Sequence, residues 1–137
     1  MDRDRLDTDD LPRPVRRFLA RCVDAVEQLE IILLLQKHAD RSWTPTDVSE
    51  ALTLPGDAAA RDLEVLCGRD LLDVRLGADV RYRFAPGSPE LARQVRGVVD
   101  AYRASRGAVL AFVTTRRRRS LRDFSDAFKL IEHDDDR

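Results

Sequence analysis

A chain of 137 residues with 24 basic and 25 acidic side chains, formal charge -1, has material for one compact core and not for two. With 43% apolar and 36% charged residues it can fill that core and coat it in charge, which excludes wholesale disorder, while the balanced charge means that any nucleic-acid contact must be local. The longest strictly apolar run, Ile31 to Leu35, is far short of the roughly 20 residues a membrane helix needs, so the expectation is a soluble, cytoplasmic domain without membrane contact.

Residues 1–10 alternate charge with little apolar content and read as a flexible tail. Leu11-Pro12-Arg13-Pro14 then opens a helix carried by Val15, Phe18, Leu19 and Cys22. Asp24 and Glu27 have capping-box spacing, and the segment that follows, with Val26, Leu29, Ile32 and Leu33 at helical intervals and Ile31, Leu34 and Leu35 filling the other side, is apolar nearly all round. A helix of that kind belongs in the centre of the fold.

The pattern breaks at Asp40-Arg41-Ser42-Trp43. Thr44-Pro45-Thr46-Asp47 supplies a capping hydroxyl, a proline at the first helical position and a carboxylate three residues after the cap, which starts a second helix running to Ala51 or Leu52. After the turn Leu54-Pro55-Gly56, a third helix from Asp57 to Arg69 carries Ala60, Leu63, Leu66 and Cys67 as its buried stripe, leaving Ala58, Ala59, Arg61, Asp62, Val65 and Arg69 to face outward. Two short helices joined by a tight turn form a helix-turn-helix pattern.

The period changes to two at Leu72, Val74 and Leu76, and after Gly77-Ala78-Asp79 the alternation resumes at Val80, Tyr82 and Phe84. This predicts a hairpin with one buried face and with Arg75, Arg81 and Arg83 on the other. Pro86-Gly87-Ser88-Pro89 ends it. From Pro89 to about Arg118, Leu91, Val95, Val98, Tyr102, Val109 and Phe112 keep the four-three spacing of a coiled-coil seam. A helix of that length spans about 45 Å, more than one small core covers, so the seam is expected to hold a homodimer; Gly97, Gly107 and Ser105 are its weak points, and a break near Gly107 would let the segment from Val109 onward fold back over its own core. Leu121, Phe124, Ala127 and Phe128 suggest one more short helix before an acidic tail at 132–137.

The order helix, strand-like Trp43, helix-turn-helix, hairpin and long helix resembles the winged helix-turn-helix fold of small bacterial transcription regulators, broadly the MarR-like and PadR-like groups. The residues that carry the likeness are Glu27 to Leu35, Trp43-Thr44-Pro45-Thr46-Asp47-Val48, Arg69-Asp70-Leu71-Leu72-Asp73-Val74 and Tyr82-Arg83-Phe84, within a span from about Asp24 to Arg118. The fold class that follows is mainly α, an α+β winged helix-turn-helix with a helical core, a small two-stranded wing and a long C-terminal helix. The expected organisation is a tail at 1–10, the winged domain at 11–86, the dimerisation and terminal helices at 87–131 and the acidic tail. The resemblance implies a DNA-binding transcription regulator acting as a homodimer, with the third helix in the major groove and the wing on the backbone.

The expected DNA-binding residues are Arg61, Arg69, Arg75, Arg81 and Arg83, contacting double-stranded DNA. From Thr44 to Asp70, however, six acidic residues face two basic ones. That sign, opposite to the phosphate-neutralising pattern, supports a second reading: a winged-helix interaction module, or a subunit of a larger transcription or signalling assembly. Arg116-Arg117-Arg118-Arg119 reads as charge complementing a helix C-terminus or as a patch for nucleic acid or an acidic partner. Catalysis has little support in the sequence: His38 and His133 lack companions at ligand spacing, no phosphate loop or nucleophile elbow is present, and neither a metal nor a cofactor is expected. Cys22 and Cys67, set in helical patterns, read as small buried hydrophobes, and a disulfide between them is the lesser alternative.

Overall fold

In the computed structural model, which describes residues 11–116, the elements run α1 (Arg13–Cys22), α2 (Val26–Lys37), α3 (Pro45–Leu52), α4 (Gly56–Gly68), β1 (Leu72–Leu76), β2 (Val80–Phe84), α5 (Pro89–Ala104) and α6 over 106–116. The six helices hold 66% of the described residues, and with the antiparallel hairpin they make an α+β, winged-helix-like layout.

The helical core is built around α2. Leu29, Ile31, Ile32 and Leu35 are fully buried, and α2 touches α3, α4 and β2, as a helix apolar on all sides must. The start of α3 is decided within four residues. Asp47 N–H donates to Thr44 Oγ1 (3.0 Å) and Thr44 N–H donates to Asp47 Oδ2 (3.1 Å), a complete capping box with Pro45 at the first position. The expected box at Asp24 does not form. Ala25 precedes α2 without a side-chain cap, because the Asp24 carboxylate is taken by Arg69 and its N–H by Gln28 Oε1 at 2.9 Å.

The stripe of α4 is rotated by one residue from expectation: Ala59, Leu63 and Leu66 are buried, while Ala60 and Cys67 are only partly covered. Leu63 and Leu66 set the face, and Ala59 lies one turn before Leu63 on it. Both cysteines are free, Cys22 buried and Cys67 half-buried. The sheet pairs Leu72 with Phe84, Val74 with Tyr82 and Leu76 with Val80 on one face. Trp43 joins it as an isolated bridge: its N–H donates to Tyr82 O and Tyr82 N–H donates to Trp43 O, both at 2.7 Å.

The helix expected from Pro89 to about Arg118 is interrupted at Ser105, one of its weak points, whose backbone leaves the helical region (φ -146°, ψ 63°). Ser105 N–H still donates to Ala101 O, and its carbonyl accepts Val109 N–H, so one helix ends and the next begins on the same residue. Beyond the break, Ala108, Val109 and Val113 join the core that α1 and α5 share, and Arg116 donates to Ala20 O on α1 at 2.5 Å. Much of the seam read as a dimer interface is thereby covered in cis. Val95, Val98 and Val109 are at most 1% exposed, and Leu91, Tyr102 and Phe112 are half-buried. Two shorter helices packed on their own core no longer require a second chain to cover their length. The terminal helix around Phe124, the arginines from Arg117 to Arg119 and both tails lie outside the described residues.

Candidate functional site

Taken from the residues upward, α4 presents little that suits a base-reading helix. Its exposed side chains include Asp57, Arg61 and Glu64, with Asp62 half-buried and accepting a hydrogen bond from Gln28 Nε2 at 3.3 Å. Nearby Glu50 and Asp70 are exposed as well. Arg61 faces solvent and has no ion-pair partner among the described residues, as a DNA-contacting arginine would before binding. It stands among carboxylates.

Arg69 does not belong with that group. Its guanidinium donates to Cys22 O (2.6 Å), Gln28 Oε1 (3.2 Å) and Asp24 Oδ2 (2.8 Å), tying the end of α4 to the link between α1 and α2. These partners lie more than 40 residues away in sequence, so the sequence shows an outward arginine where the fold has a brace. One signal was present: Gln28 is the only buried polar residue among the described ones, and a lone amide on an apolar face needs partners.

The wing has two contrasting faces. On the polar face Asp73 pairs with Arg83 and Arg75 lies directly opposite Arg81, a like-charge pairing that disfavours the hairpin unless something anionic lies between or beside the two. Asp79 partly supplies this, accepting from Arg81 Nε (2.9 Å) and Nη2 (3.2 Å), and that pairing raises the Arg81 pKa. Arg75, Arg81 and Arg83 are thus brought together as the sequence suggests, whereas Arg61 sits on α4 and Arg69 caps its C-terminal end.

The other face departs from expectation. Leu72 and Tyr82 are buried and Phe84 is half-buried, but Val74 (36%), Leu76 (81%) and Val80 (38%) are exposed, and they are the exposed large hydrophobics of the described residues. The hairpin outruns the core beneath it: at the level of the Val74–Tyr82 pair only the β2 side is covered, and at Leu76 and Val80 neither strand is. Periodicity could not show this, because alternation says which side chains share a face and not what lies over them.

Trp43 anchors the base. The ring is buried, Arg41 stacks over it with Cζ 3.7 Å from the centroid, and the His38 ring lies 5.9 Å away. Its indole N–H has no acceptor among the described residues. Burial, reinforced by Asp73 and Asp70, raises the Cys67 pKa, so this thiol is protonated at neutral pH and a poor nucleophile. Among the described residues no group of three or more His, Cys, Asp or Glu is placed to hold a metal ion.

No family model, curated protein or solved structure matches this chain. The site therefore stands on its own geometry. One further charged surface lies on α1, where Arg13, Arg17 and Arg21 recur every four residues along the exposed side. They border a cleft of about 630 Å³ lined by Pro14, Arg17, Phe18, Arg21, Glu90 and Gln94, in which Arg21 donates to Gln94 Oε1 at 3.2 Å and Glu90 offsets part of the positive charge.

Proposed function

We propose that this chain is a winged-helix protein-interaction module whose contact surface is the wing. The observation that carries the reading is the exposure of Val74, Leu76 and Val80 together on one face of the hairpin, since contiguous apolar exposure on a small domain marks a binding surface. The acidic surface of α4 supports it from the other side, because a helix presenting Asp57 and Glu64 to a phosphate-lined groove meets repulsion. The test is site-specific photo-crosslinking in the source cell from position 76 and from position 58. Adducts to protein from Leu76 and none from Ala58 on α4 support the reading; adducts from both or neither count against it.

A second reading, a regulator that binds duplex DNA as a homodimer, is favoured by one observation: Arg75, Arg81 and Arg83 form a cationic face with like charges opposed. In that reading Arg61 adds a contact and Arg69 adds none. Fluorescence anisotropy with mixed duplexes at several salt concentrations separates the two. The interaction module shows no binding even at low salt, whereas a DNA binder shows a salt slope that shrinks by about one when Arg81→Ala or Arg83→Ala frees a phosphate.

A further inference from the structure

We propose that the open edge of β1 pairs, antiparallel and about a two-fold axis at Val74, with the same edge of a second copy of this chain. The proposal rests on the reading of the wing as the contact surface and names its partner. Three features of the hairpin carry it.

The first is the direction of the backbone groups. The sheet order is β1-β2, and Trp43 occupies the far side of β2, so among the described residues no strand lies against the outer side of β1. Tyr82 uses both its N–H and its C=O on Trp43, which means they point away from β1. Val74, directly opposite Tyr82, is therefore a non-hydrogen-bonded partner of it, and its own N–H and C=O are turned to the open edge. By the same alternation so are those of Leu72 and Leu76. Such an edge is a template for another strand, and folded domains normally blunt it.

The second is self-complementarity. Pairing about Val74 sets Val74 opposite Val74 of the second copy, Leu72 opposite its Leu76, and Asp73 opposite its Arg75, so that two opposite-charge pairs form by symmetry. The charged pairs fall at non-hydrogen-bonded positions, where strands bring side chains closest. The neighbouring symmetric registers, centred on residue 73 or residue 75, put Asp73 opposite Asp73 or Arg75 opposite Arg75. Charge therefore selects one register.

The third is where the exposed apolar surface goes. Leu76, 81% exposed in one chain, comes to lie beside Leu72 at the covered base of the other wing. The uncovered tip of each hairpin thus meets the covered base of its mate, and the apolar faces of the two wings become continuous. The two-fold axis stands perpendicular to the sheet, so Arg75, Arg81 and Arg83 of both copies remain on one common face.

Analytical ultracentrifugation of the full chain at sub-millimolar concentration tests the pairing, with circular dichroism confirming that each variant folds. The expected result is a two-chain species that grows with concentration. Asp73→Arg alone and Arg75→Asp alone should each weaken it by more than about tenfold, because both cross-chain pairs become repulsive. An equimolar mixture of these two single variants should associate as a heterodimer, since each then supplies the charges the other lacks. Val74→Pro, which removes the central edge N–H and leaves pairing with β2 intact, should abolish association. A wild-type chain of one-chain mass throughout, or a two-chain species indifferent to Val74→Pro and to both charge reversals, overturns the proposal. If the chain stays monomeric while Leu76 crosslinks to a different protein, self-pairing falls and the wing remains the contact surface; if it also crosslinks to nothing, both fall.

Discussion

The base and the tip of one hairpin carry the same alternating sequence and have opposite fates. Leu72 and Tyr82 at the base are each 5% exposed, whereas Leu76 at the tip is 81% exposed. The strands differ little in composition; the base lies against Trp43, α2 and α4, and the tip has passed beyond them. An apolar side chain contributes stability only where another surface closes over it, and where none does it is free for an intermolecular contact. The base should then behave as core and the tip as interface.

The largest expected effect is at the base. Trp43→Ala should cost about 3 to 5 kcal/mol in chemical denaturation, since it empties a buried aromatic site and strands the Arg41 guanidinium stacked on it. A cost near zero would mean that the base is no better covered than the tip, and the comparison would fail. Arg69→Ala comes next. Removing a guanidinium that satisfies Cys22 O, Gln28 and Asp24 should destabilise the chain by about 1 to 3 kcal/mol, read from the same denaturation midpoint. Because Arg69 braces the residues that lead into β1, Arg69→Lys, which cannot span three acceptors with the same planar fork, should recover only part of the loss.

A smaller effect belongs to the cap next to Trp43. Thr44→Ala should cost about 1 kcal/mol. The Thr44 N–H, foremost, holds Asp47 below the ordinary aspartate range, against some desolvation, with Thr44 Oγ1, Arg41 and Arg81 assisting. A carboxyl depressed in the folded state adds stability in full above its unfolded pKa and loses it as pH falls through the folded value. The stability gap between wild type and Asp47→Asn should accordingly be constant near neutrality and close below about pH 4, as thermal melts across a pH series would show. The smallest expected effect is at the tip: Leu76→Ser should change monomer stability by less than about 0.5 kcal/mol. A loss as large as a core truncation would show that something already covers Leu76.

What could be read in the sequence divides along the same line. The start of α3 was legible because Thr44, Pro45 and Asp47 settle it among themselves. The hairpin register was legible too, since Leu72, Val74 and Leu76 alternate toward one face and their partners do the same. The interruption at Ser105 was legible only as a weakness of the pattern, shared with Gly97 and Gly107. Four-three spacing from Leu91 to Phe112 is satisfied as well by two helices packed on α1 as by one long helix on a second chain, and the glycines that weaken the pattern, Gly97 and Gly107, sit on either side of the actual break. The candidate site was legible in part. Arg75, Arg81 and Arg83 fall on one face because strand period dictates it, whereas the diversion of Arg69 depends on residues from a distant part of the chain.

By itself, then, the sequence determined most of the local elements, the face the strand residues take and the acidic sign of the helix-turn-helix, all of which depend on spacing and charge within a few residues. Only the tertiary structure decided which of those faces are covered. Coverage is a contact between segments far apart in the chain: α1 closes over Val95 and Val98, and the core beneath the wing stops short of Val74, Leu76 and Val80. Periodicity within a segment encodes its own geometry and carries no record of what another segment will bring against it.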